Sequence, residues 1–310
     1  MGCWQSCAEG RRIISLLLLK LSDNAENRVQ QHTRSQGDAL RSLPEVVPTK
    51  SVLGAEIREL DVSAPMSERV GATVHNALLK HGVICVRGQE IDEQAQVEFS
   101  RLFGMPARHV REQPDRPVPE IFVISNVCED GQPIGALGNA EIEFHSDLSY
   151  LRHPGTISTL YAVEVPKRGG NTEWACCKTA YNALDEATRM MLRSLHAVHR
   201  HHREQQNPSE PVAHPVISVH PETGQPGLYV SPHFTRRILG LHEHDSNALL
   251  KRLFRHATDP SFVWTHHWQV GDLVVWDNRC TMHRRLPFPN SERRVMKRTQ
   301  IFNDNWEPSA

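Results

Sequence analysis

The stretch EIEFHSDLSY, residues 141–150, places His145 and Asp147 two positions apart in a run that also contains Phe, Leu and Tyr. Such a run favours a β-strand, and on a strand the side chains at i and i+2 point to the same face. The two groups are therefore expected to point together, as chelation of a metal ion requires. With 19 histidines and 36 acidic residues in 310 positions, about two such pairs arise by chance, so a metal site needs further ligands elsewhere.

Most segments on either side of this stretch also favour β-strands. They are short runs, alternating or continuously apolar, and turn residues separate them, as is typical of antiparallel sheets. The strand segments are VICVRG (83–88), IFVIS (121–125), TISTLYAVEV (156–165), TEWACC (172–177), the hairpin HPVISVHPETGQPGLYV (214–230), FVWTHHWQVGDLVVWDN (262–278) and RRVMKRTQIF (293–302).

Helix signals are fewer. Residues 67–82 have Ser67 as an N-cap and Gly82 as a stop, and residues 92–104 and 183–195 also have helical spacing. The Gly-rich segment at 129–140 is expected to be a loop, and such loops commonly border active sites. Together these elements predict a mainly β fold with flanking helices: a double-stranded β-helix, that is, a jelly-roll or cupin-like barrel.

Composition indicates one folded domain behind an extension. Residues 1–47 combine an apolar patch with a long polar run and are expected to be mobile, whereas residues 48–310 are expected to fold. The net charge is -1 and the pI is about 7.0, which argues against nucleic-acid and anionic membrane partners. We therefore expect a small-molecule partner, and a homo-oligomer stays open.

Cysteine usage and the N-terminus bear on location. The seven cysteines include no CxxC pair, which favours a reduced, cytoplasmic compartment. The apolar run IISLLLLKL (13–21) is too short to span a membrane, so no transmembrane segment is predicted. The opening MGCWQS matches the myristoylation pattern, with a misassigned start or an unstructured tail as the alternatives.

Further candidate ligands occur near the C-terminus. WDNRCTMHRR (276–285) contains His283, and RRVMKR (293–298) follows it. Two histidines and one carboxylate leave three positions open on a metal, the arrangement of non-haem Fe(II) oxygenases. A bidentate 2-oxo acid can occupy two of these positions and dioxygen the third. The distant carboxylate of that acid suits an arginine, for which Arg294 is favoured by spacing over Arg284 and Arg285.

The whole pattern resembles the taurine/2,4-dichlorophenoxyacetate dioxygenase family of Fe(II)- and 2-oxoglutarate-dependent oxygenases. The resemblance extends from about Val47 to Trp306. Its motifs are FHSDLSY (144–150), GGNTEWA (169–175), HPETGQPGLYV (220–230), and WDNRCTMHRR leading to RRVMKR.

This resemblance implies Fe(II) as the metal, with 2-oxoglutarate and dioxygen as co-substrates, and hydroxylation of a small organic molecule with release of succinate and carbon dioxide. The implied iron ligands are His145, Asp147 and His283. The implied cofactor-binding residues are Arg294, Arg298 and Thr172, and an ordinary strand threonine is the alternative for Thr172. Because Asp147 is retained, halogenation is not expected.

The resemblance also places residues near the substrate. Arg298 corresponds to a residue near the anionic group of sulfonate or carboxylate substrates, which implies an anionic substrate. Arg108 or His109 falls where relatives contact a sulfonate, and Glu141 falls at an amide of the sulfonate pocket. A carboxylate there argues against taurine. Leu148 and Phe234, with Tyr150, are further candidates for the pocket wall or the core.

Two competing interpretations remain. The chain could be a catalytically silent, cupin-like metal- or ligand-binding protein, since zinc also accepts two histidines and a carboxylate. The histidine-rich segment HAVHRHHREQQ (196–206) could be a ligand cluster, although a solvated strand end is favoured. The tryptophans Trp264, Trp268 and Trp276 are expected to fill the core.

Overall fold

The chain folds into several β-sheets with a few helices, as seen in a computed structural model that describes residues 42–108, 113, 116–303 and 306–310. The strands are β1 (Glu45–Pro48), β2 (Ala55–Arg58), β3 (Val83–Val86), β4 (Pro106–Ala107), β5 (Phe122–Ser125), β6 (Cys128–Glu129), β7 (Gln132–Pro133), β8 (Ala136–Leu137), β9 (Ile142–His145), β10 (Ile157–Glu164), β11 (Thr172–Cys176), β12 (His196–His199), β13 (Val212–Pro215), β14 (Ile217–Val219), β15 (Pro226–Leu228), β16 (Thr235–Ile238), β17 (Val263–His266), β18 (Leu273–Asp277), β19 (Thr281–Arg285) and β20 (Val295–Ile301).

The helices lie between groups of strands. The α-helices are α1 (Glu68–His81), α2 (Glu93–Ser100), α3 (Cys177–Asn182), α4 (Glu186–Leu192) and α5 (Glu243–Ala257), and the 3₁₀ helices are Arg101–Phe103, Glu204–Gln206 and Pro260–Phe262. The predicted caps of α1 are confirmed: the Ser67 hydroxyl accepts a hydrogen bond from Val70 N–H, and Gly82 ends the helix with φ 69°. Among the described residues, none of the helices combines the length and apolar character required to cross a membrane.

Two sheets face each other. The larger has nine strands in the order β1-β2-β3-β18-β10-β20-β5-β8, with β4 also paired to β20, and the smaller has the order β17-β11-β19-β9. Strand β1 spans the boundary predicted at residue 47, and residues 1–41 of the predicted extension lie outside the described residues. The loop predicted at 129–140 contains the short strands β7 and β8 and the last residue of β6.

The core has three layers, because residues on these strands alternate between the two faces. On one face of the large sheet, Val275 and its neighbours pack against α1 and α2, whereas Val274 and Trp276 face the small sheet. Trp174 of β11 meets them from the opposite side, and its ring lies 5.6 Å from that of Trp276. Ala175 of β11 faces away, toward α3 and α5. The inward faces of the two sheets therefore enclose the space in which the functional side chains lie.

Candidate metal centre

Three side chains from distant parts of the sequence converge between the two sheets. His145, Asp147 and His283 are 9%, 4% and 8% exposed, and their ligand atoms lie within 4.8 Å of one another. The Asp147 Oδ1 atom is 3.7 Å from His145 Nε2 and 4.0 Å from His283 Nε2. Two metal–ligand bonds of about 2.1 Å span these separations, so the three groups could hold one ion.

Strand pairing brings the two histidines together. His145 at the end of β9 lies opposite His283 of β19, and their ring centroids are 4.2 Å apart. Asp147 joins them for a different reason from the one predicted. It lies in a turn after β9 rather than on the strand, and Leu148 in the same turn has a φ of 58°. The carboxylate thus reaches the histidines through the turn and not through strand alternation.

The protonation of the three groups suits metal binding. Burial, reinforced by the neighbouring His283, lowers the pKa of His145 to about 3, and burial lowers the pKa of His283 to about 4. Both imidazoles are therefore neutral at pH 7. Because His145 Nδ1–H donates to the Glu143 carbonyl at 2.8 Å, the Nε2 lone pair of His145 is available to an ion.

Asp147 is held as a carboxylate by its surroundings. Its Oδ2 accepts a hydrogen bond from the Ser158 hydroxyl at 2.8 Å, and its Oδ1 accepts one from Arg298 Nη1 at 3.3 Å. Its backbone N–H donates to Asn278 Oδ1, and the Asn278 amide in turn donates to Ser158. Burial acts to raise the pKa of Asp147, but Arg298 and His283 more than offset it and hold the pKa below its ordinary value.

Ser158→Ala should weaken metal binding, because it removes the hydrogen bond that orients Asp147. We expect the affinity for Mn(II) to fall by about 10–100-fold, measured by titration calorimetry. Thr159→Val is the matched control. Thr159 is also buried, but its hydroxyl lies on the other face of β10, where it bonds with Ser100 and Thr299. An equal loss in both variants would show that Ser158 acts on the general stability of the strand.

A small pocket adjoins His145 and His283. Its polar wall contains Thr172, Arg285, Arg294 and Arg298, and its apolar wall contains Ile124, Leu137, Ile142, Leu160 and Trp276. Arg294 lies one residue before β20, and Thr172 begins β11. The Thr172 Oγ accepts a hydrogen bond from Trp268 Nε1 at 3.0 Å, so its hydroxyl proton is free to be donated. The pocket thus presents hydrogen-bond donors and positive charge beside the metal ligands.

Arg294 is a buried cation with no salt bridge among the described residues. It is 2% exposed, and its Nε has no hydrogen-bond partner among the described residues. Burial, together with the nearby Arg285, lowers the pKa of Arg294 to about 9, so it is still charged at pH 7. Burying an unpaired charge is costly, which indicates that this guanidinium is arranged to bind an anionic ligand.

Sequence reasoning set Arg284 and Arg285 aside together, and the structure separates them. Arg285 faces the pocket, whereas Arg284 faces away and forms salt bridges with Glu173 at 2.5 Å and Glu141 at 3.6 Å. The signal that distinguishes them is strand alternation from His283: Arg285, at i+2, shares the face of His283.

The predicted substrate residues do not all lie together. Phe234 contacts the centre, with its ring edge-on to His145 at 5.6 Å, and Leu148 packs against Phe234 and Tyr150. Arg298 lies beside the Asp147 carboxylate.

Two other candidates, Arg108 and Glu141, are not brought to the metal centre, and a third cannot be placed. Arg108 is exposed, and His109 lies outside the described residues. Glu141 is about half exposed and pairs with the outward-facing Arg284. The expectation that Glu141 lies in the pocket and disfavours a sulfonate therefore has no support.

The histidine-rich segment at 196–206 is only partly the solvated strand end that was expected, since His196 and residues 202–205 are exposed. His199 and His201 are buried, and His199 Nδ1 lies 3.0 Å from the Ser149 hydroxyl. The ring of His201 packs against that of Phe234 at 5.6 Å. These histidines therefore form part of the wall behind the metal ligands. The expectation for the tryptophans is confirmed for Trp268 and Trp276, which are buried.

Comparison with known proteins agrees with this geometry. Residues 44–300 match the model of the family described as "Taurine catabolism dioxygenase TauD, TfdA family". An alkylsulfatase of Acinetobacter baylyi is 31% identical over 81% of this chain and 83% of its own length. An alpha-ketoglutarate-dependent 2,4-dichlorophenoxyacetate dioxygenase of Burkholderia sp. (strain RASC) is 32% identical over 78% of this chain and 89% of its own length.

A solved structure is also similar. The crystal structure of AAD-2 in complex with Mn(II) and N-oxalylglycine superposes with a TM-score of 0.73 at 28% sequence identity. The match covers 87% of this chain and 100% of that one.

Proposed function

The chain belongs to the taurine catabolism dioxygenase TauD/TfdA family, and from this premise we propose that His145, Asp147 and His283 bind the iron of a dioxygenase that hydroxylates a small organic anion. One observation carries the proposal. Two neutral imidazoles and one carboxylate, drawn from positions 145, 147 and 283, converge within 4.8 Å beside a pocket that contains unpaired guanidinium groups.

The protein is an Fe(II)- and 2-oxoglutarate-dependent oxidoreductase. The bound iron supplies the activation of dioxygen, and 2-oxoglutarate supplies the two electrons as it is converted to succinate and carbon dioxide. The donor set fits this metal, because two histidines and one carboxylate leave the remaining positions open to co-substrates.

The residues of the chain place and protect the reactants. Asp147 presents one oxygen to the metal, while Ser158 and Arg298 fix the carboxylate as an anion. Arg294 and the Thr172 hydroxyl, which line the same pocket as His145 and His283, bind the far carboxylate of 2-oxoglutarate. The indole of Trp276 lies against His283, with ring centroids 4.8 Å apart, and helps to keep bulk water from the centre.

The substrate is a small anion that enters beside Phe234 and Arg298. Arg298 supplies the positive charge, and Phe234 with Leu148 supplies the apolar wall next to His145. The names of the alkylsulfatase and of the 2,4-dichlorophenoxyacetate dioxygenase describe sulfate-ester and carboxylate chemistry, which supports an anionic substrate for this chain as well.

The nine-stranded and four-stranded sheets form the two sides of a jelly-roll. Their facing arrangement supports this, with Trp174 and Trp276 packed between them. A cytoplasmic location is also proposed. The cysteines of the described residues, Cys85, Cys128, Cys176, Cys177 and Cys280, are free thiols, which is typical of a reducing compartment.

Anaerobic addition of Fe(II) and 2-oxoglutarate should produce a weak visible charge-transfer band. Zn(II) in place of Fe(II) is the control and should give no band. After admission of dioxygen, succinate formation should rise with at least one member of a panel of sulfonates, phenoxy acids, sulfate esters and amino-acid derivatives. A protein that binds Fe(II) but gives no band with 2-oxoglutarate would instead be a silent metal-binding protein.

A further inference from the structure

A second arginine occupies the co-substrate pocket by virtue of strand register. Arg285 of β19 lies directly opposite Thr172 of β11. His283, two residues before Arg285, lies opposite Trp174, two residues after Thr172. Residues directly opposite each other on antiparallel strands point to the same face of the sheet. Arg285, Thr172 and His283 therefore share the inward face, with Arg285 placed beyond the metal ligand on the side of Thr172.

Only part of the Arg285 guanidinium is satisfied by the protein. Its Nη2 donates to the backbone carbonyls of Leu137 and Ala140, in the segment that leads into β9. Its Nε and Nη1 are buried and have no hydrogen-bond partner among the described residues. The residue is 5% exposed, so bulk water does not replace those bonds. Two nitrogens, with three N–H donors between them, thus remain for a ligand.

The charge of Arg285 is also uncompensated. It lines the same pocket as Arg294, and no carboxylate of the described residues forms a salt bridge with either guanidinium. Two buried like charges destabilise each other, and a shared carboxylate between them would reverse the sign of that interaction.

We propose that Arg285 is a second binding residue for the far carboxylate of 2-oxoglutarate, opposite Arg294, and thereby sets selectivity for dicarboxylic over monocarboxylic 2-oxo acids. This inference rests on the proposed function. Thr172, Arg285 and Arg294 together give the far carboxylate a hydroxyl and two guanidinium groups.

The same side chain links the co-substrate to the segment before β9. Nη2 of Arg285 donates to the carbonyls of Leu137 and Ala140 and so anchors this segment. An anion bound to Nε and Nη1 would therefore restrain the same side chain. The competing view is that Arg285 serves only as that anchor. The two views differ in one respect: only a carboxylate-binding residue distinguishes ligands by their far end.

The test compares two ligands of equal carbon number. Dissociation constants of 2-oxoglutarate and of 2-oxopentanoate, which lacks the far carboxylate, are measured by anaerobic calorimetry on the Mn(II)-loaded enzyme. The dissociation constant of 2-oxopentanoate divided by that of 2-oxoglutarate reports the contribution of the far carboxylate. In Arg285→Gln, which removes the charge and keeps a polar side chain, we expect this ratio to fall at least about tenfold. Arg285→Met provides the same measurement if the Gln variant does not fold.

Arg284→Gln is the matched control, since Arg284 points away from the pocket. Its ratio should equal that of the wild type. An unchanged ratio in Arg285→Gln, or a parallel loss of affinity for both ligands, would overturn the proposal and leave Arg285 as an anchor. Failure of the wild-type Mn(II) enzyme to bind 2-oxoglutarate at all would instead refute the proposed function.

Discussion

His283→Ala is expected to abolish succinate formation and to reduce metal affinity by more than about 100-fold. Loss of a residue that merely orients a metal ligand costs about 10–100-fold, so loss of a ligand should exceed this range. In this chain no other histidine of the described residues joins the cluster of His145, Asp147 and His283 to replace the missing ligand. The measurements are Mn(II) binding by calorimetry and succinate production with Fe(II).

The control for this substitution is His267→Ala. His267 is exposed, and its Nδ1 lies 3.0 Å from the Asn171 side-chain amide, away from the metal cluster. Its metal affinity and turnover should match those of the wild type. If His283→Ala kept metal affinity within about tenfold of the wild type, His283 would not be a ligand and the metal centre would be wrongly assigned.

Arg294→Met is expected to raise the dissociation constant of 2-oxoglutarate by about 30-fold or more. Removing one partner of a buried, hydrogen-bonded charge pair costs about 2–5 kcal/mol, and 2 kcal/mol corresponds to roughly 30-fold in affinity. Metal affinity should change little, because Arg294 forms no hydrogen bond with the metal ligands. Anaerobic calorimetry with the Mn(II)-loaded enzyme measures both quantities.

Arg293→Met is the neighbouring control. Arg293 is exposed and forms its hydrogen bonds with Glu164, at 2.7 and 2.9 Å, so its loss should leave 2-oxoglutarate binding unchanged. A similar dissociation constant in Arg294→Met and Arg293→Met would remove Arg294 from the co-substrate site. Arg298 differs from Arg294, because it donates a hydrogen bond to Asp147 and is also proposed to bind the anionic substrate.

Local elements followed from the sequence because their causes are local. The Ser67 cap and the Gly82 stop delimit α1, and the apolar run of residues 83–86 forms a buried strand. The proposal that His145, Asp147 and His283 form a metal-binding set also came from residue type and from family resemblance, and the structure brings the three side chains together. The direction of Asp147 did not, since a turn and not the strand carries it to the histidines.

Tertiary structure decided which charged groups face one another. Arg284 and Arg285 are adjacent in the sequence, yet Arg284 forms salt bridges outside the pocket and Arg285 lines the pocket. Glu141 precedes a strand of the site but pairs with the outward arginine. Burial of His199 and His201 depends on their packing against β16 and Phe234, which their polar composition does not indicate.

The sequence by itself determined most of the long strands, the ends of α1 and the chemical kind of the site, but it did not indicate α3 or α5. Only the tertiary structure decided the pairing of β9 with β19 and of β19 with β11, and hence that His145, His283, Thr172 and Arg285 share one face. The physical reason is that the spacing of apolar residues and the capping of helix ends depend on only a few neighbouring residues. Register between strands more than a hundred residues apart is instead set by packing of the whole core, and a shift of one residue would turn every one of these side chains to the other face.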